Sequence, residues 1–548
     1  MIKNNLGFKR IQNKEIYTRG YVFDKENLFQ KDKNLNIYFS DCYDEKNFVD
    51  LLLNSNGFFS VIIETERHIF AAVDRIRSIP LFYGYINCNF YISDDARYIK
   101  EKVKDEKMDE LSKTEFLLTG YVTGKDTLYP NVKQIRAGEY LVFDKMDNKL
   151  KTKRYFEFRH KNFYKMTEEE MIEKLDKVHL NVMKRLIDSL EGRTAVIPLS
   201  GGQDSRLIAV MLKRLGYENV ICFSYGKPGN KESEISKKVA DYLKYRWIFI
   251  PYTMDKWNEW YNNSEMKKYM FFGDNLASLP HIQDFPAVWE MKEKGLVPED
   301  SVFIPGHAAD FIEGSHIPPW FIEKEKISDK ELIDSIYEKH YNLWRWPNHR
   351  KQLNKQFVNK ITNVVGPINN CNPEGGADIL ECWDWQERQA KFIANSIRVY
   401  DFFGYEWRLP LWDNELIEFW TKVPIEKRIR RCLYFEYVNT KQYKIKRELK
   451  AKINIEDGNL KRWYMVNIRY KYRRIHKFIR AFFVIKSRIN EYKENPLQFY
   501  GIHNQERYRK SLFKAGILNF SINSLLVEDY FEFMNLYVAG KGRQRDVL

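Results

Sequence analysis

The first part of the chain shows short apolar runs separated by turn residues. Up to about residue 155 these runs have the length of strands, and few helical segments come between them. This pattern is typical of an antiparallel β-sandwich rather than of alternating strands and helices. The predicted strands are Ile37–Phe39, Gly57–Glu64, His68–Val73, Leu81–Ile86, Asn89–Ser93 and Glu139–Phe143, with helical pieces near Asp95–Val103 and Ser112–Leu118.

The second part alternates apolar strands with amphipathic helices. A long helix is predicted from Thr167, with acidic residues in its first turn, to about Leu190. Such an alternation predicts right-handed crossovers and a doubly wound parallel sheet, with a helical C-terminal part. Later predicted elements are the strands Val220–Gly226 and Trp247–Ile250, the helix between them from about Glu232 to Tyr245, and a helical stretch from Glu381 to about Phe402.

Length and pattern together indicate two domains. A chain of 548 residues exceeds the usual size of one domain, and the change of pattern places the domains at 1–155 and 165–548. Lys145–Tyr164 is charged and aromatic without a clear period. We interpret it as a linker that ends in a strand such as Arg154–Arg159.

Composition favours a globular cytoplasmic protein. Hydrophobic residues make up 44% of the chain, which argues against disorder. We find neither an apolar run as long as a membrane span nor a signal-peptide core at the start. The six cysteines are scattered and show neither metal-ligand spacing nor a disulfide framework.

The formal net charge of +15 is concentrated partly in one late segment. Ile468–Arg488 is basic with interleaved Tyr, Phe and Ile, which fits either an arm for an anionic partner or a solvated helix face. We favour the solvated helix face, because a run of charged residues is more often a solvated surface than a binding arm. We do not expect nucleic acid as a partner.

The clearest chemical signal is the run Ser200-Gly-Gly-Gln-Asp-Ser205, which follows an apolar strand and opens a helix. Free backbone N–H groups and the positive end of the helix dipole suit an anion such as phosphate. Asp204 would repel phosphate unless a cation lies beside it, most simply Mg²⁺. The lysine of the usual phosphate loop is missing. The alternative is an ordinary turn with a capped helix.

This run resembles the pyrophosphate loop of the ATP-pyrophosphatase ligases, and two further segments resemble asparagine synthetases. One is Ser301–Gly314, with Gly306, Ala309, Asp310 and Gly314 in register with that family's pattern. The other is a set of short runs between Asn56 and Tyr140. These runs resemble the second half of the class II glutamine amidotransferase domain at the front of asparagine synthetases, which is of the N-terminal-nucleophile type.

The resemblance implies ATP and Mg²⁺ as cofactors. It assigns Asp204 and Asp310 to the metal, and Asp204 and His307 to catalysis. Tyr225 is placed beside the adenine. The predicted nucleotide-binding residues are Leu199, Ser200, Gly201, Gly202, Asp204, Ser205, Tyr225 and Gly306.

Departures from the family pattern change the expected activity. The family glutaminase needs a cysteine directly after the initiator Met, where this chain has Ile2, and Cys42 and Cys88 lie inside the chain. We therefore expect no hydrolysis of glutamine. His307 occupies the position at which the family has an acidic residue. It is either a base that accepts a proton from the attacking amine, or a loop residue without a catalytic role in a changed or inactive site.

Three other segments carry weaker hypotheses. Glu374–Asp378 has a residue sequence similar to the motif in Ser301–Gly314. We interpret it as a loop that only resembles this motif and has no part in the site. Glu406, Arg408, Pro410 and Asp413 are in register with a family segment, and we favour a scaffold role for the Glu406–Arg408 pair. The family also has a catalytic lysine late in the chain. The sequence does not show which residue corresponds to it, and the five candidates are Lys441, Lys444, Lys446, Lys450 and Lys452.

The sequence thus predicts an AMP-forming, carbon–nitrogen ligase that joins a small-molecule carboxylate to ammonia or an amine. Asparagine formation is the default, and amidation of a sugar acid or a peptide stays open. A non-catalytic nucleotide-binding scaffold is the alternative. A homodimer is a further possibility that the sequence does not decide.

Overall fold

The computed structural model describes residues 7–11, 13–348, 350–441, 488–517 and 520–540. The basic segment Ile468–Arg488 lies outside these residues except for Arg488, and so do four of the five candidate lysines, all but Lys441. Among the helices in the described part of the chain, none is long and apolar enough to cross a membrane.

Two antiparallel sheets form the N-terminal part. The larger has the strand order β1-β2-β4-β5-β9-β10, with β3 paired to β2, and the smaller has the order β7-β6-β8. The strands are β1 Gly7–Ile11, β2 Lys14–Phe23, β3 Phe29–Lys31, β4 Asn56–Glu64, β5 His68–Val73, β6 Phe82–Ile86, β7 Asn89–Ser93, β8 Lys133–Gln134, β9 Glu139–Asp144 and β10 Lys149–Arg154. The helices are Lys33–Ser40, Glu45–Leu53, Ala96–Lys102 and Glu110–Thr119.

The two sheets pack face to face, as the sandwich prediction requires. Ile62 of β4 joins an apolar cluster with residues of the smaller sheet, including Phe90 and Ile92. Its neighbours Val61 and Ile63 point the other way, into a cluster with the helices Lys33–Ser40 and Glu45–Leu53. Because successive side chains of a strand face opposite sides, a strand covered on both sides appears as one continuous apolar run.

Several element predictions in this part are wrong. Ile37–Phe39 is helical, and the helix Lys33–Ser40 buries Leu35, Asn36 and Phe39 at helical spacing. The predicted strand Arg154–Arg159 is displaced, since β10 ends at Arg154 where its pairing with β9 ends. Strands β1 to β3 were not predicted, because their side chains are mostly polar or only half-buried.

A five-stranded parallel sheet forms the centre of the second part, as predicted. Its order is β13-β12-β11-β14-β15. The strands are β11 Ala195–Pro198, β12 Val220–Gly226, β13 Arg246–Pro251, β14 Val302–Phe303 and β15 Glu406–Trp407. The α-helices are Glu168–Leu190, Asp204–Arg214, Lys231–Leu243, Met254–Asn262, Ser264–Gly273, Phe285–Glu293, Ala309–Ile312, Asp329–His340, Arg350–Val365, Pro373–Asp384, Arg398–Phe402, Asn414–Trp420, Ile425–Arg428, Cys432–Lys441, Gln505–Ala515 and Ile522–Gly540.

The helical stretch predicted from Glu381 begins earlier than predicted, and its helix type changes along its length. Pro373–Asp384 is α-helical, Trp385–Ile393 is a π-helix and Ala394–Ile397 is a 3₁₀-helix. Asn372 caps the start, since its side chain accepts the N–H of Gly375 at 2.9 Å. The segment Glu374–Asp378 is therefore a helix start and not a loop. Further 3₁₀ turns are Pro319–Glu323, Pro410–Trp412, Ile429–Arg431 and Phe499–Ile502.

One apolar cluster extends through both parts of the chain. It contains Tyr21 and Phe58 of the N-terminal part together with Val196 and Trp407 of the parallel sheet. Polar contacts reinforce it, for example a two-pronged ion pair in which Arg97 donates to both oxygens of Asp274 at 2.7 and 2.5 Å. The two parts therefore share a core.

The partly buried polar contacts of this interface include those of Glu406. Its carboxylate accepts from Lys31 at 2.5 Å, from Arg193 at 2.7 Å and from Arg408 at 3.1 Å. Asp413 accepts from Arg185 and from Asn56. These contacts link the two parts and fit the scaffold role favoured from the sequence.

Candidate active site

A cleft of about 290 Å³ opens at the carboxyl ends of β11, β12 and β14. In open parallel sheets this edge is where ligands bind, and the volume lies close to the lower end of the usual range for small-molecule sites. The side chains and backbone that line the cleft belong to Pro198, Ser200, Gly202, Asp204, Ser205, Tyr225, His281, Gln283, Asp284, Pro305, Gly306, His307, Ile393 and Ser396.

The loop between β11 and the helix Asp204–Arg214 forms the floor of the cleft. Its turn is held internally, since Gly202 donates its N–H to Ser200 Oγ at 3.0 Å and Ser200 donates its N–H to Ser205 Oγ at 3.2 Å. Two predicted nucleotide residues do not line the cleft. Leu199 is buried and extends the pairing of β11 with β12, and Gly201 accepts a hydrogen bond from Arg206.

Gly306 packs directly on this loop. A Cβ atom at this position would lie 2.6 Å from the backbone nitrogen of Ser205 and 3.0 Å from its Cα. Such distances are too short for a side chain, so only glycine allows the turn after β14 to approach the start of the helix. The contact brings the first and second sequence motifs together at one edge of the sheet.

Asp204 is ion-paired in the structure, and its partner was not predicted. Arg431 donates to Asp204 Oδ1 at 2.5 Å and, through Nε, to Glu313 Oε2 at 2.6 Å. Burial raises the pKa of Asp204, and Arg431 opposes the shift. Glu313 is 1% exposed, and burial raises the pKa of its carboxyl well above the usual value. No sequence signal distinguished Arg431 from the other basic residues of its neighbourhood.

Asp310 lies beside Asp204 but pairs with another residue. The negative charge of Asp310 contributes to the raised pKa of Asp204. His316 Nε2 lies 3.4 Å from Asp310 Oδ2, and His316 Nδ1 lies 2.6 Å from Asp384 Oδ2. Burial raises the pKa of Asp310, but His316, Arg431 and Arg388 together outweigh this effect and the pKa falls to about 2. Asp310 is therefore ionised at neutral pH.

The two carboxylates could hold a metal only with help from a ligand. In the described part of the chain no group of three or more His, Cys, Asp or Glu side chains has the geometry of a metal site. Mg²⁺, however, is usually bound by one or two carboxylates together with phosphate oxygens and water. The donor set of Asp204 and Asp310 fits that requirement.

His307 faces the cleft next to Ser396. Its Nδ1 lies 3.2 Å from Ser396 Oγ. Burial lowers the pKa of His307 to about 4, so the ring is neutral at pH 7. The next residue, Ala308, has a φ of 80°, a left-handed conformation that is unusual for a residue other than glycine. Such strain is typical of functional turns.

Tyr225 lines the cleft, and its hydroxyl is already engaged in hydrogen bonds. It donates to Asp284 Oδ1 at 2.5 Å, and Gln283 donates to the same hydroxyl at 2.8 Å. Tyr400 donates to the other oxygen of Asp284 at 2.8 Å. The ring of Tyr225 stacks on Tyr252 with a centroid distance of 4.9 Å. These bonds fix the ring as a rigid wall of the cleft.

Some lining residues had no sequence signal. His281, Asp284 and Ser396 come from segments outside the three motifs, and only the fold brings them to the cleft. Within the described residues, the buried Nδ1 of His281 has no hydrogen-bond partner. It is therefore free to bond to a ligand.

The sheet and the β-sandwich together form a mixed α/β architecture, with the loop and the cleft at the carboxyl edge of the parallel sheet. Comparisons with known families agree with both parts. A family model described as a glutamine amidotransferase domain matches residues 40–156, and one described as the queuosine biosynthesis protein QueC matches residues 194–278.

In this order the two matches fit an asparagine synthetase-like architecture. They support an ATP-dependent, amidotransferase-like ligase, and the QueC-like region suggests the use of ATP. A search of curated proteins finds no match to the chain.

Similarities to solved structures are weak. Glutamine phosphoribosylpyrophosphate amidotransferase from B. subtilis, complexed with ADP and GMP, is 12% identical with a TM-score of 0.21. The match covers 44% of this chain and 72% of that one. A structure described as the allosteric regulatory enzyme of purine biosynthesis is 12% identical with a TM-score of 0.20, over 44% of this chain and 61% of the other.

Proposed function

We propose that this protein is an AMP-forming amide ligase that activates a carboxylic acid with ATP and transfers ammonia or an amine to it. The observation that carries the proposal is that the Ser200–Ser205 loop and Asp204 line one cleft at the carboxyl edge of the parallel sheet, where the charge of Asp310 also acts on Asp204. The close packing of Gly306 on Ser205 supports it, because this contact brings the two motifs together.

The loop would bind the pyrophosphate part of ATP. It lies at the start of an eleven-residue helix, where backbone N–H groups and the dipole favour an anion. Asp204 and Asp310 would hold Mg²⁺ together with phosphate oxygens, and the ion would neutralise charge on the departing pyrophosphate. Tyr225 would provide a fixed wall for the nucleotide.

Arg431 would change partners when ATP binds. In the structure its guanidinium donates to both Asp204 and Glu313. An Arg side chain also binds phosphate oxygens through two parallel hydrogen bonds. Release from Asp204 would therefore place a cation on the pyrophosphate and free the carboxylate for its other role.

The reaction has two steps. A carboxylate oxygen of the acid attacks the α-phosphorus of ATP, and pyrophosphate leaves. The nitrogen of ammonia or an amine then attacks the acyl carbon, and AMP leaves. The attacking nitrogen becomes acidic as its bond forms, so a neutral His307 at the cleft wall can accept its proton. The enzyme contributes positioning and charge neutralisation.

The N-terminal part would not supply ammonia from glutamine. Cys42 lies in the apolar cluster between the larger sheet and its covering helices, and burial raises the pKa of its thiol to about 12. A thiol in that state is a poor nucleophile. Cys88 lies in the turn between β6 and β7 with a φ of 63°. Free ammonia or a substrate amine is the proposed nitrogen source.

The experiment is the release of AMP and pyrophosphate from ATP with Mg²⁺ across a panel of carboxylic acids with ammonium. D204A should reduce AMP formation by about a hundredfold or more, the usual size of such an electrostatic contribution. D188A, which changes an exposed aspartate on the helix Glu168–Leu190, is the matched control and should keep full activity.

A non-catalytic nucleotide-binding scaffold is the second candidate, and the Asp204–Arg431 pair favours it, because this pair occupies the carboxylate that catalysis would need. The same experiment separates the two. Binding of ATP to the wild type without AMP formation from any acid in the panel would support the scaffold and reject the ligase.

A further inference from the structure

One wall of the cleft is formed where a helix changes its type. The π-helix Trp385–Ile393 ends at this point and the 3₁₀-helix Ala394–Ile397 begins. Ile393 and Ser396, one on each side of the junction, both line the cleft. Changes of this kind inside a helix often mark a functional site. The junction brings to the cleft a hydroxyl that the activity proposed above does not yet use.

The turn that carries this hydroxyl is held by buried hydrogen bonds. Asn395 donates to the carbonyl of Gly273 at 2.6 Å, and it accepts from the side chain of Asn275 at 3.0 Å. Asn395 and Ser396 are each 4% exposed. The neighbouring side chain thus anchors the backbone, and Ser396 has a fixed position in the wall of the cleft.

Towards His307, the hydroxyl of Ser396 acts as a hydrogen-bond acceptor. Its Oγ donates to the carbonyl of Ile393 at 2.7 Å, the usual distance for such a bond. The ring of His307 is farther away, with Nδ1 at 3.2 Å and Nε2 at 3.4 Å from the same Oγ. A hydroxyl has a single hydrogen and two lone pairs. Because that hydrogen is given to the nearer carbonyl, Ser396 offers a lone pair to His307.

This lone pair decides which nitrogen of His307 carries the proton. The ring is neutral at pH 7, so only one of its two nitrogens is protonated. Within the described part of the chain, Ser396 Oγ is the one hydrogen-bond partner of either nitrogen. Nδ1 is the nearer of the two, and an N–H at Nδ1 can donate to Ser396. Nε2 then keeps a free lone pair.

The backbone that carries His307 has little freedom of its own. On one side of it, a Cβ atom at Gly306 would lie 2.6 Å from the backbone nitrogen of Ser205. On the other side, Ala308 has a φ of 80°. Both neighbours fix the turn, so the orientation of the ring depends on what its side chain contacts.

We propose that Ser396 is a positioning residue, which holds His307 in the tautomer protonated at Nδ1 and so leaves Nε2 as the base. This inference rests on the proposed ligase activity. As the attacking nitrogen bonds to the acyl carbon and AMP leaves, one proton of that nitrogen passes to Nε2. The N–H at Nδ1 stays bonded to Ser396, which itself exchanges no proton. A base oriented by a third group is the usual arrangement of such sites.

Nuclear magnetic resonance of the full-length protein with ¹⁵N-labelled histidine tests this contact without ATP or substrate. H307Q identifies the signals of His307 among those of the ten histidines. In the wild type at pH 7 the proton of His307 should be on Nδ1. In S396A the protonated fraction of Nδ1 should fall and that of Nε2 should rise. A wild-type proton on Nε2, or an unchanged tautomer in S396A, would overturn the inference.

S236A is the matched control. Ser236 is fully buried, and its hydroxyl accepts the ring N–H of Trp247 at 2.9 Å, but it does not line the cleft. The substitution removes the same kind of contact at another place, so the signals of His307 should stay as in the wild type. If S236A changes the tautomer of His307 as much as S396A does, the effect is general and the inference is rejected.

Kinetics with an acid that supports AMP formation separates positioning from a structural role. Release of pyrophosphate in a single turnover without ammonium should change less than about twofold in S396A, because His307 takes no proton in that step. Amide formation after addition of ammonium should slow about tenfold or more, a part of what a general base contributes. S396T keeps the hydroxyl and should restore most of this rate. Equal slowing of both steps in S396A would contradict the positioning role.

A double variant shows whether Ser396 acts through His307. H307Q alone should slow amide formation about a hundredfold or more. S396A should then add no further loss in the H307Q background, since the group that it positions is gone. Losses that multiply in the double variant would show that Ser396 acts independently of His307 and would reject the inference.

The two proposals fail in different ways. If no acid supports AMP formation but S396A shifts the proton of His307 from Nδ1 to Nε2, the ligase proposal fails and the contact between Ser396 and His307 stands. If AMP and amide form but the tautomer and the rate of amide formation are the same in S396A as in the wild type, the ligase stands and the positioning role fails.

Discussion

Arg431 and Asp204 form an ion pair 2.5 Å long at the centre of the proposed active site, 227 residues apart in the sequence. The same guanidinium also contacts Glu313, which is almost fully buried. Arg430 and Arg431 both have left-handed backbone conformations, with φ of 58° and 62°. The turn therefore presents Arg431 to Asp204 and Glu313 at a conformational cost, which the two ion pairs offset.

Removing the guanidinium is expected to destabilise the protein. R431M leaves Glu313 buried without its cation, so the free energy of unfolding in urea should fall by about 3 kcal/mol. R431M/E313Q should recover most of that loss, because the second change removes the unpaired charge. R430M, at an exposed neighbouring position, is the control. A loss that is the same in R431M and in the double variant would contradict this account.

Gly306 is expected to tolerate no side chain. In G306A the new methyl group would meet the backbone of Ser205 at 2.6 Å, so the loop or the turn after β14 must shift. The affinity for ATP, measured by titration, should fall about tenfold or more. G201A should have the smaller effect, since its Cβ would find its nearest neighbour at 3.4 Å. The reverse order would contradict the proposed contact between the two motifs.

Acid is expected to destabilise the chain through its buried histidines. Burial lowers the pKa of His179 to about 4, from an ordinary value of 6.5. Between these values the unfolded chain binds a proton that the folded chain does not, so the free energy of unfolding falls as the pH drops through this window. At pH above about 6.5 this contribution is constant.

Replacement of His179 isolates this effect. The ring stacks on Tyr437 at 4.9 Å, and its Nδ1 lies 2.9 Å from the carbonyl of Leu175. H179Q should lose less free energy of unfolding between pH 6.5 and 4 than the wild type, by on the order of 3 kcal/mol. Urea titrations at several pH values measure the difference. If the free energy of unfolding falls equally with pH in both proteins, the folded protein takes up the His179 proton as readily as the unfolded chain does, and the account is contradicted.

Glutamine is expected to be a poor nitrogen donor. With ATP, Mg²⁺ and a suitable acid, ammonium should support amide formation, while glutamine should give neither product above background nor free glutamate. Cys42 is inaccessible and its thiol is protonated at neutral pH, so C42A should behave as the wild type. Stoichiometric glutamate release would show that the N-terminal part is an active glutaminase.

Much of the fold was predictable because its elements repeat simple periods. The strands His68–Val73, Asn89–Ser93 and Val220–Gly226 have the predicted bounds, since their apolar runs end at turn residues. Ile37–Phe39 was not predictable in this way. Its β-branched and aromatic residues favour a strand, and only packing on the larger sheet makes the segment helical.

The candidate site was predictable where residues are neighbours in sequence. The loop at Ser200 and the turn at Gly306 form local patterns, and the structure brings them into contact. Asp284 and His281 reach the cleft, and Arg431 reaches Asp204, through tertiary folding alone, and their own segments carry no motif. The roles of the predicted site residues stay predictions until the experiments above are made.

The apolar cluster that joins Tyr21 and Phe58 to Val196 and Trp407 has an evolutionary consequence. An N-terminal part that shares its interior with the parallel sheet cannot be deleted without exposing that interior to water. Selection would therefore retain this part for the folding of its neighbour, whether or not it hydrolyses glutamine. Its own catalytic residues would then be free to change, while the surface that it buries would not.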